Sequence, residues 1–502
     1  MKNTIIYKIG IFFSLLVILV VCCKKEKTTT YDKVEILPNT GFPNDVAKIM
    51  VSKCAIDGCH NSLSRSSSNG LDFSTWDLMF DGGRNGTSVI PFSVDYSYML
   101  YTVNTDSTRA PVLLPTMPYL RPHLSEEEYQ ILVNWIANGA TDKNGFIKFS
   151  DDPNRKKVYI CMQGCDKVAV IDAKTKVIMR YITVGVDPTI IEAPHQVRVS
   201  PDGKYWYVVF VSGTVLQKFR TSDDVLISTL TLDNISHNWN TIIFTPDGNT
   251  GFVNALDGRT QIVSLDNMTL KTFLTHDTPH GGFVTHDGRY LYLTCQNGNF
   301  VNKVDLNSAP FYDQEVKIGL VPGQPISTSS TVKPHEMFLS PDGTRYFVSC
   351  QGTSEVRVFQ TSNDSLLATI PVGLLPQEFD VSVTHPYIFV SCTEEPVSST
   401  KHGSIYIINY NDFSIVGSIY TGFQPHGLAV DDGENLVYVA NLNYDPNAPP
   451  PHHVTTCGGR NGNLTIIDMN TLQLYNKTLA DGSTFQYKNE LLPFPYFVTL
   501  RK

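Results

Sequence analysis

The feature that most limits what this chain can fold into is a repeat. Pro194-His195-Gln196-Val197-Arg198-Val199-Ser200-Pro201-Asp202-Gly203 returns as Pro334-His335-Glu336-Met337-Phe338-Leu339-Ser340-Pro341-Asp342-Gly343. Altered copies begin at Pro279-His280 and Pro425-His426, and Ser236-His237 leads to Pro246-Asp247-Gly248. Weaker copies start at Pro376-Gln377 and Pro495-Tyr496. Anchored at residues 195, 237, 280, 335, 377, 426 and 496, these make seven units. A unit of roughly 45 residues cannot bury its own apolar face, so it must stack on its neighbours.

Each unit reads as four short strands. The alternating run after Pro-His is the first, and the Asp-Gly turn folds it back into an aromatic, β-branched second strand such as Tyr205–Phe210 or Tyr346–Cys350. A third strand follows, as at Lys167–Asp172 or Asn463–Asp468, and a fourth ends near Val184-Gly185 or Val372-Gly373. That is the pattern of a propeller blade. The repeat is also out of phase at its ends. It opens on a second strand, Val158–Cys161, and closes on a lone first strand, Tyr496–Leu500. The last strand is expected to complete the first blade, closing a ring and removing an exposed edge. On these residues, 150–502 resembles the YVTN-type seven-bladed β-propellers, and more distantly the propellers of nitrous oxide reductase and d1-haem nitrite reductase. The resemblance implies an architecture and leaves function open.

In such a ring the first strands line the channel. His195, His237, His280, His335 and His426 are therefore expected on one rim near the axis, with Gln377 and Tyr496 in the two remaining places. Imidazoles suit soft or borderline metals. The long insertion Asn441–Asn463, expected on the same face, adds His452, His453 and Cys457. The resemblance to nitrous oxide reductase implies copper as one candidate ion. Two other readings stay open: each imidazole bonds a neighbouring blade's backbone, or a protein docks on the rim. Cys161, Cys295, Cys350 and Cys392 recur near the ends of second strands and read as small core residues. Cys165 has no assignment. His276, His286, His385 and His402 show no partner pattern and read as solvent-facing.

Ahead of the repeat lies a different chemistry. Cys54-Ala55-Ile56-Asp57-Gly58-Cys59-His60 sets two thiols before an adjacent imidazole, the layout for covalent haem attachment. The usual spacing has two residues between the cysteines, whereas here there are four; a local disulfide beside a bystander His is the competing reading. Downstream come Gly70-Leu71-Asp72-Phe73, Ile90-Pro91, Met117-Pro118 and Asn134-Trp135-Ile136-Ala137-Asn138-Gly139-Ala140. In this order they resemble the cytochrome c domain of planctomycete-type proteins, although Asn61 stands where Gly often follows the His. The helical pattern of Asp45–Lys53 delivers Cys54, and Ser125 to Glu128 forms a capping box ahead of the stripe Ile131, Leu132, Trp135 and Ile136. The resemblance implies haem c on Cys54 and Cys59, with His60 as proximal iron ligand. Met117 is the expected distal ligand, with Met99 and His123 as rivals. An iron filled on both sides transfers electrons and binds no substrate.

The first residues read as an address. Lys2 and Lys8 precede the apolar run Ile9–Val21, too short to span a bilayer, which ends at Cys22-Cys23. This resembles a bacterial lipoprotein signal with Cys23 lipidated, an uncleaved anchor being the alternative. The net charge is −9, and no long basic block follows residue 27, which argues against nucleic acid as a partner. No phosphate loop, Ser-His-Asp order or HExxH is present. The expected organisation is multidomain: a signal peptide at 1–23, a polar tether at 24–40, a small mainly-α cytochrome c domain at 41–148 and an all-β seven-bladed propeller at 150–502. The expected function is that of a c-type cytochrome lipoprotein of the bacterial envelope, periplasmic or outer-membrane. It would relay electrons to or from a redox partner or a centre on the propeller, which would make it an oxidoreductase if the His rim holds a metal. The competing function is a surface binding module for protein or glycan with an auxiliary haem.

Overall fold

The computed structural model describes residues 39–310, 312–396, 401–448, 450–451, 457, 459–479 and 482–501. The lipidation candidate Cys23, with the whole signal segment, lies outside them, as do His452 and His453. Among the described residues no helix is long and apolar enough to cross a membrane.

Seven antiparallel sheets carry the repeat, six with four strands and one with five, in sequence order except where the ring closes. The innermost strands are Pro194–Val199, Trp239–Phe244, Pro279–Val284, Pro334–Leu339, Leu374–Val381, Pro425–Asp431 and Pro495–Arg501. Each touches the next, and the last touches the first. Closure is as the phase of the repeat requires: Pro495–Arg501 pairs with Lys157–Met162, in the register Lys157 opposite Arg501 and Val158 opposite Leu500. The seventh blade departs from the others. Its outer edge comes in two pieces, Gln473–Leu474 and Lys488–Pro493, both paired with Asn461–Asp468, and a small hairpin of Asn476–Thr478 and Thr484–Gln486 lies between them. That hairpin absorbs the long final step of the repeat.

The strand pattern follows from burial. Inner strands such as Pro279–Val284 are buried throughout, and second strands lie between two neighbouring blades, so they read as continuous apolar runs. Outer strands such as Leu226–Thr231 are largely exposed. Core clusters therefore straddle blades: Phe283, Tyr292 and Val301 of one pack on Met337, Tyr346 and Val348 of the next. Each fully buried Val, Leu, Ile or Phe on these faces contributes about 1.5–3 kcal/mol. Buried carboxylates tie blades together as well. Asp224 accepts from Tyr159 Oη at 2.8 Å and Lys157 Nζ at 2.9 Å, and Asp364 accepts from Tyr292 Oη at 3.0 Å and Lys303 Nζ at 2.8 Å.

Residues 39–148 hold no strand, only one isolated bridge between Gly83 and Gly86. Four α-helices appear: α1 (Asn44–Ile49), α2 (Trp76–Met79), α3 (Tyr98–Val103) and α4 (Glu126–Ala137). The capping box is present, with Ser125 Oγ accepting from Glu128 N and Glu128 accepting from Ser125 N at 2.7 Å. Most of these helices are short, and turns and loops outweigh them, so the mainly-α domain expected at 41–148 is not what the structure shows. The segment packs with the propeller in one compact unit, 39–502. Ile90 joins the core of the first and seventh blades, Tyr96 meets Tyr181 with ring centroids 5.1 Å apart, and the amides of Lys488 and Glu490 donate to the Arg84 and Asn85 carbonyls.

Removing Pro495–Lys502 should open the ring. We expect the midpoint of thermal unfolding to fall by about 10 °C or more, or the cooperative transition to vanish. An unchanged midpoint by circular dichroism would contradict closure by this strand.

Candidate functional site

The backbone aims one side chain per blade at the axis. The residue just before the Pro (in one blade Trp239) that opens each bulge has positive φ, and none of the seven is glycine: Ala193, Asn238, Thr278, Lys333, Leu375, Gln424 and Phe494. The pairing register then slips within the next three residues in every blade. A bulge of this kind re-aims a side chain. The left-handed residues store backbone strain that the surrounding sheet must over-determine.

Five aromatic rings meet there in a closed circuit. Centroid separations run from His195 to Tyr496 at 4.4 Å, Tyr496 to His426 at 3.7 Å, His426 to His335 at 5.9 Å, His335 to His280 at 4.0 Å and His280 back to His195 at 5.7 Å. Neighbouring blades fix the backbone beneath them. Thr294 Oγ1 donates to the His335 carbonyl at 3.1 Å, Ser349 Oγ to that of Gln377 at 2.8 Å and Ser391 Oγ to that of His426. Glutamines at the ends of second strands hold the rings: Gln163 Nε2 lies 3.0 Å from His195 Nδ1 and Gln296 Nε2 lies 3.1 Å from His335 Nδ1.

His237 is not part of the circuit. The inner strand of its blade begins at Trp239, two residues later, so the place held by His195 or His280 elsewhere falls to Asn240, whose side-chain amide donates to the Pro279 carbonyl at 3.1 Å. His237 instead lies between two carboxylates, 2.5 Å from Asp257 and 3.2 Å from Asp233. Cys457 does not reach the rim as a free thiol either; it forms a disulfide with Cys165, joining the seventh blade's insertion to the first blade. The four core cysteines are unpaired and buried, as read from the sequence. Of the histidines expected in solvent, His286 is exposed, His385 and His402 are half-buried, and His276 is buried with Nδ1 3.5 Å from Glu315.

Sequence reasoning missed the carboxyls. Glu336 and Glu378 occupy the position just after the anchor and are both buried. His335 Nε2 stands 3.6 Å from Glu378 Oε1, and ligand atoms of His335, Glu378 and His426 all lie within 4.8 Å of one another. The repeat did carry the signal: Gln196, Glu336 and Glu378 set a long polar side chain where other inner strands carry Thr241, Gly281, Gly427 or Phe497. Burial pulls the His335 imidazole down to about 3, and His195, His280 and His426 lie well below the ordinary range from burial and from their imidazole neighbours. The rings are thus neutral at pH 7, with lone pairs on offer. The carboxyls move the other way. Burial raises Glu378 to about 7, and Glu336, further pushed by the Glu378 charge, lies well above the ordinary value. Both carboxyls are thus pushed towards the protonated form.

The second site is the loop after α1. A turn of π-helix, Met50–Cys54, ends on Cys54, and the Cys59 amide closes a turn onto Ile56 at 3.0 Å. Both thiols are unpaired, so the local-disulfide reading does not apply, and burial together with the neighbouring Cys59 raises Cys54 to about 12. The His60 ring packs on Phe73 at 5.0 Å, its Nδ1 is buried without a hydrogen bond, and burial lowers its pKa. Met117 is half-buried, its amide donating to the Thr102 carbonyl at 2.7 Å. Met99 is a core side chain of α3, and His123 is exposed with its carbonyl 3.5 Å from Lys53 Nζ.

No family model and no curated protein matches the chain. Solved structures do. A proposed 6-phosphogluconolactonase from Bacteroides uniformis is similar at 13% identity and a TM-score of 0.50 over 69% of this chain and 99% of that one. Hydrazine synthase from Kuenenia stuttgartiensis is similar at 16% identity and a TM-score of 0.44 over 58% of this chain and 79% of that one. Dihydro-haem d1 dehydrogenase NirN in complex with DHE is similar at 11% identity and a TM-score of 0.46 over 84% and 94%. The first likeness shows the propeller fold alone, and the other two carry no argument.

The carboxyl pair makes stability depend on pH. Each group binds its proton more tightly in the folded than in the unfolded chain, so folding takes up protons above the ordinary carboxyl value of 4.5. The carboxyl contribution to stability should therefore fall as pH rises from 5 through the Glu378 value of about 7, by at most about 1.4 kcal/mol per pH unit for each proton, against an opposing rise up to about pH 6.5 from the four buried imidazoles that the folded chain keeps neutral. Glu336→Gln should remove part of that falling contribution, so that in thermal melts the variant gains stability relative to the parent as pH rises from 5 to about 7; an identical pH profile in the two would contradict the raised carboxyl pair.

Proposed function

We propose that this chain is an electron-transfer protein of the bacterial cell envelope, carrying one c-type haem on Cys54, Cys59 and His60 and tethered to a membrane by a lipid on Cys23. The observation that carries the reading is the loop itself. Two unpaired thiols bracket one turn, and the imidazole that follows is neutral, with a buried nitrogen that makes no hydrogen bond. This donor set fits a covalently held haem.

The surroundings support the same reading. Lys53, one residue before Cys54, reaches the His123 carbonyl at 3.5 Å and Glu128 at 3.7 Å, so the Met117-bearing loop closes onto the thiol loop at its far end. Leu63 stands 92% exposed beyond His60, and Leu114 and Leu120 stand 87% and 85% exposed on either side of Met117. Large apolar side chains left bare on both loops are what a flat apolar group would cover. When bound, the haem would supply one-electron exchange, and the Met117 thioether would favour the reduced state. In this reading His60 and Met117 would hold its iron. Phe73 sets the plane of the His60 ring, and the Thr102 carbonyl fixes the backbone of the Met117 loop. The propeller presents the surface on which a redox partner docks.

Protein matured in a haem-attaching host should stain for haem after denaturing electrophoresis, and the Cys54→Ala/Cys59→Ala variant should not. Undiminished staining in the double variant would overturn the attachment. Met117→Ala should lose the methionine–iron charge-transfer band while still staining. An unchanged band would move the distal ligand elsewhere.

A further inference from the structure

We propose that the propeller hub is a metal site holding one divalent transition ion between His335 Nε2, a Glu378 carboxylate oxygen and a ring nitrogen of His426. The three ligand atoms come from three adjacent blades and already lie within 4.8 Å of one another. All three residues are at least 95% buried, and His335 Nε2 and both nitrogens of His426 make no hydrogen bond of standard geometry, although the Tyr496 backbone lies near His426. Buried ring nitrogens without partners are costly. A cation shared among them removes that cost, and its charge offsets the burial of the Glu378 carboxylate.

The residues around the three ligands are arranged as a supporting layer. Gln296 sits on His335 Nδ1 at 3.1 Å. Turned about its last bond, its amide oxygen accepts the Nδ1–H and leaves Nε2 with a free lone pair, the arrangement by which a second contact fixes a metal-binding tautomer. The His280 ring stacks on His335 at 4.0 Å and Tyr496 on His426 at 3.7 Å, which limits rotation of both imidazoles. Glu336, hydrogen-bonded to the Gly282 amide at 3.0 Å and the Met337 amide at 2.8 Å, lies beside Glu378. Two imidazoles and one carboxylate select borderline ions such as Fe(II), Zn(II) or Cu(II) over calcium or magnesium. Three protein ligands also leave a coordination position open. This proposal rests on hub geometry alone, so it stands whether or not the Cys54 loop carries haem.

The test uses the full-length mature protein, stripped with a chelator and titrated with Zn(II) by calorimetry, with metal content read independently of haem iron by mass spectrometry. One Zn(II) per chain is expected. Binding should weaken more than about 100-fold in His335→Ala/His426→Ala, and about 10–100-fold in Gln296→Leu. The exposed His286→Ala should bind like the parent. Absence of Zn(II) uptake, or equal affinity in the double variant, would overturn the site. Should the double variant fail to fold by circular dichroism, X-ray absorption of the Co(II)-loaded parent decides: two imidazoles in the ligand shell support the assignment, and an oxygen-only shell rejects it.

Discussion

Everything in this molecule depends on the pairing of the last strand with the first. Pro495–Arg501 beside Lys157–Met162 turns seven open sheets into a ring without an edge. Closure also fixes the distance of every inner strand from the axis, because each touches only the next and the seventh touches the first. The same strand brings Tyr496 into the circuit, so the act that stabilises the ring also completes the hub. Fold and site are consequences of one constraint.

That constraint explains a high density of buried polar chemistry in a narrow channel. Seven strands converge with a bulge in each, and the side chains at the bulge have nowhere to go but inward. A propeller that needed only stability would fill this space with small apolar groups, as Gly281 and Gly427 do one position along. Here four imidazoles, a phenol and two carboxyls are gathered, with several ring nitrogens lacking partners. Such an arrangement costs stability, a cost that the proposed ion would offset.

The repeat made the blade count, the closing strand and the anchors at His195, His280, His335, His426, Gln377 and Tyr496 readable from the sequence, because a Pro-X pair marks the start of six of the seven inner strands and an Asp-Gly turn the end of five. It misplaced the third blade. Ser236-His237 imitates Pro-His, but the strand starts at Trp239, and only the register of Thr241 with Asn254 reveals it. The left-handed residue ahead of each inner strand left no trace in the sequence, since none is glycine and the surrounding sheet imposes the conformation. The Cys165–Cys457 disulfide was equally hidden, because its partners are 292 residues apart and meet only when the ring closes. In the first segment, the capping box and the α4 stripe were legible as local patterns, whereas the short helices and long turns between them are set by packing on the first and seventh blades.

We propose above all that the loop from Cys54 to His60 carries a covalently bound haem. The most direct test is the intact mass of the mature protein, taken together with its reduced visible spectrum. A mass greater than the lipidated polypeptide by one haem, with the spectrum of a c-type centre, is the predicted result. A colourless protein with the mass of the lipidated polypeptide alone would contradict it.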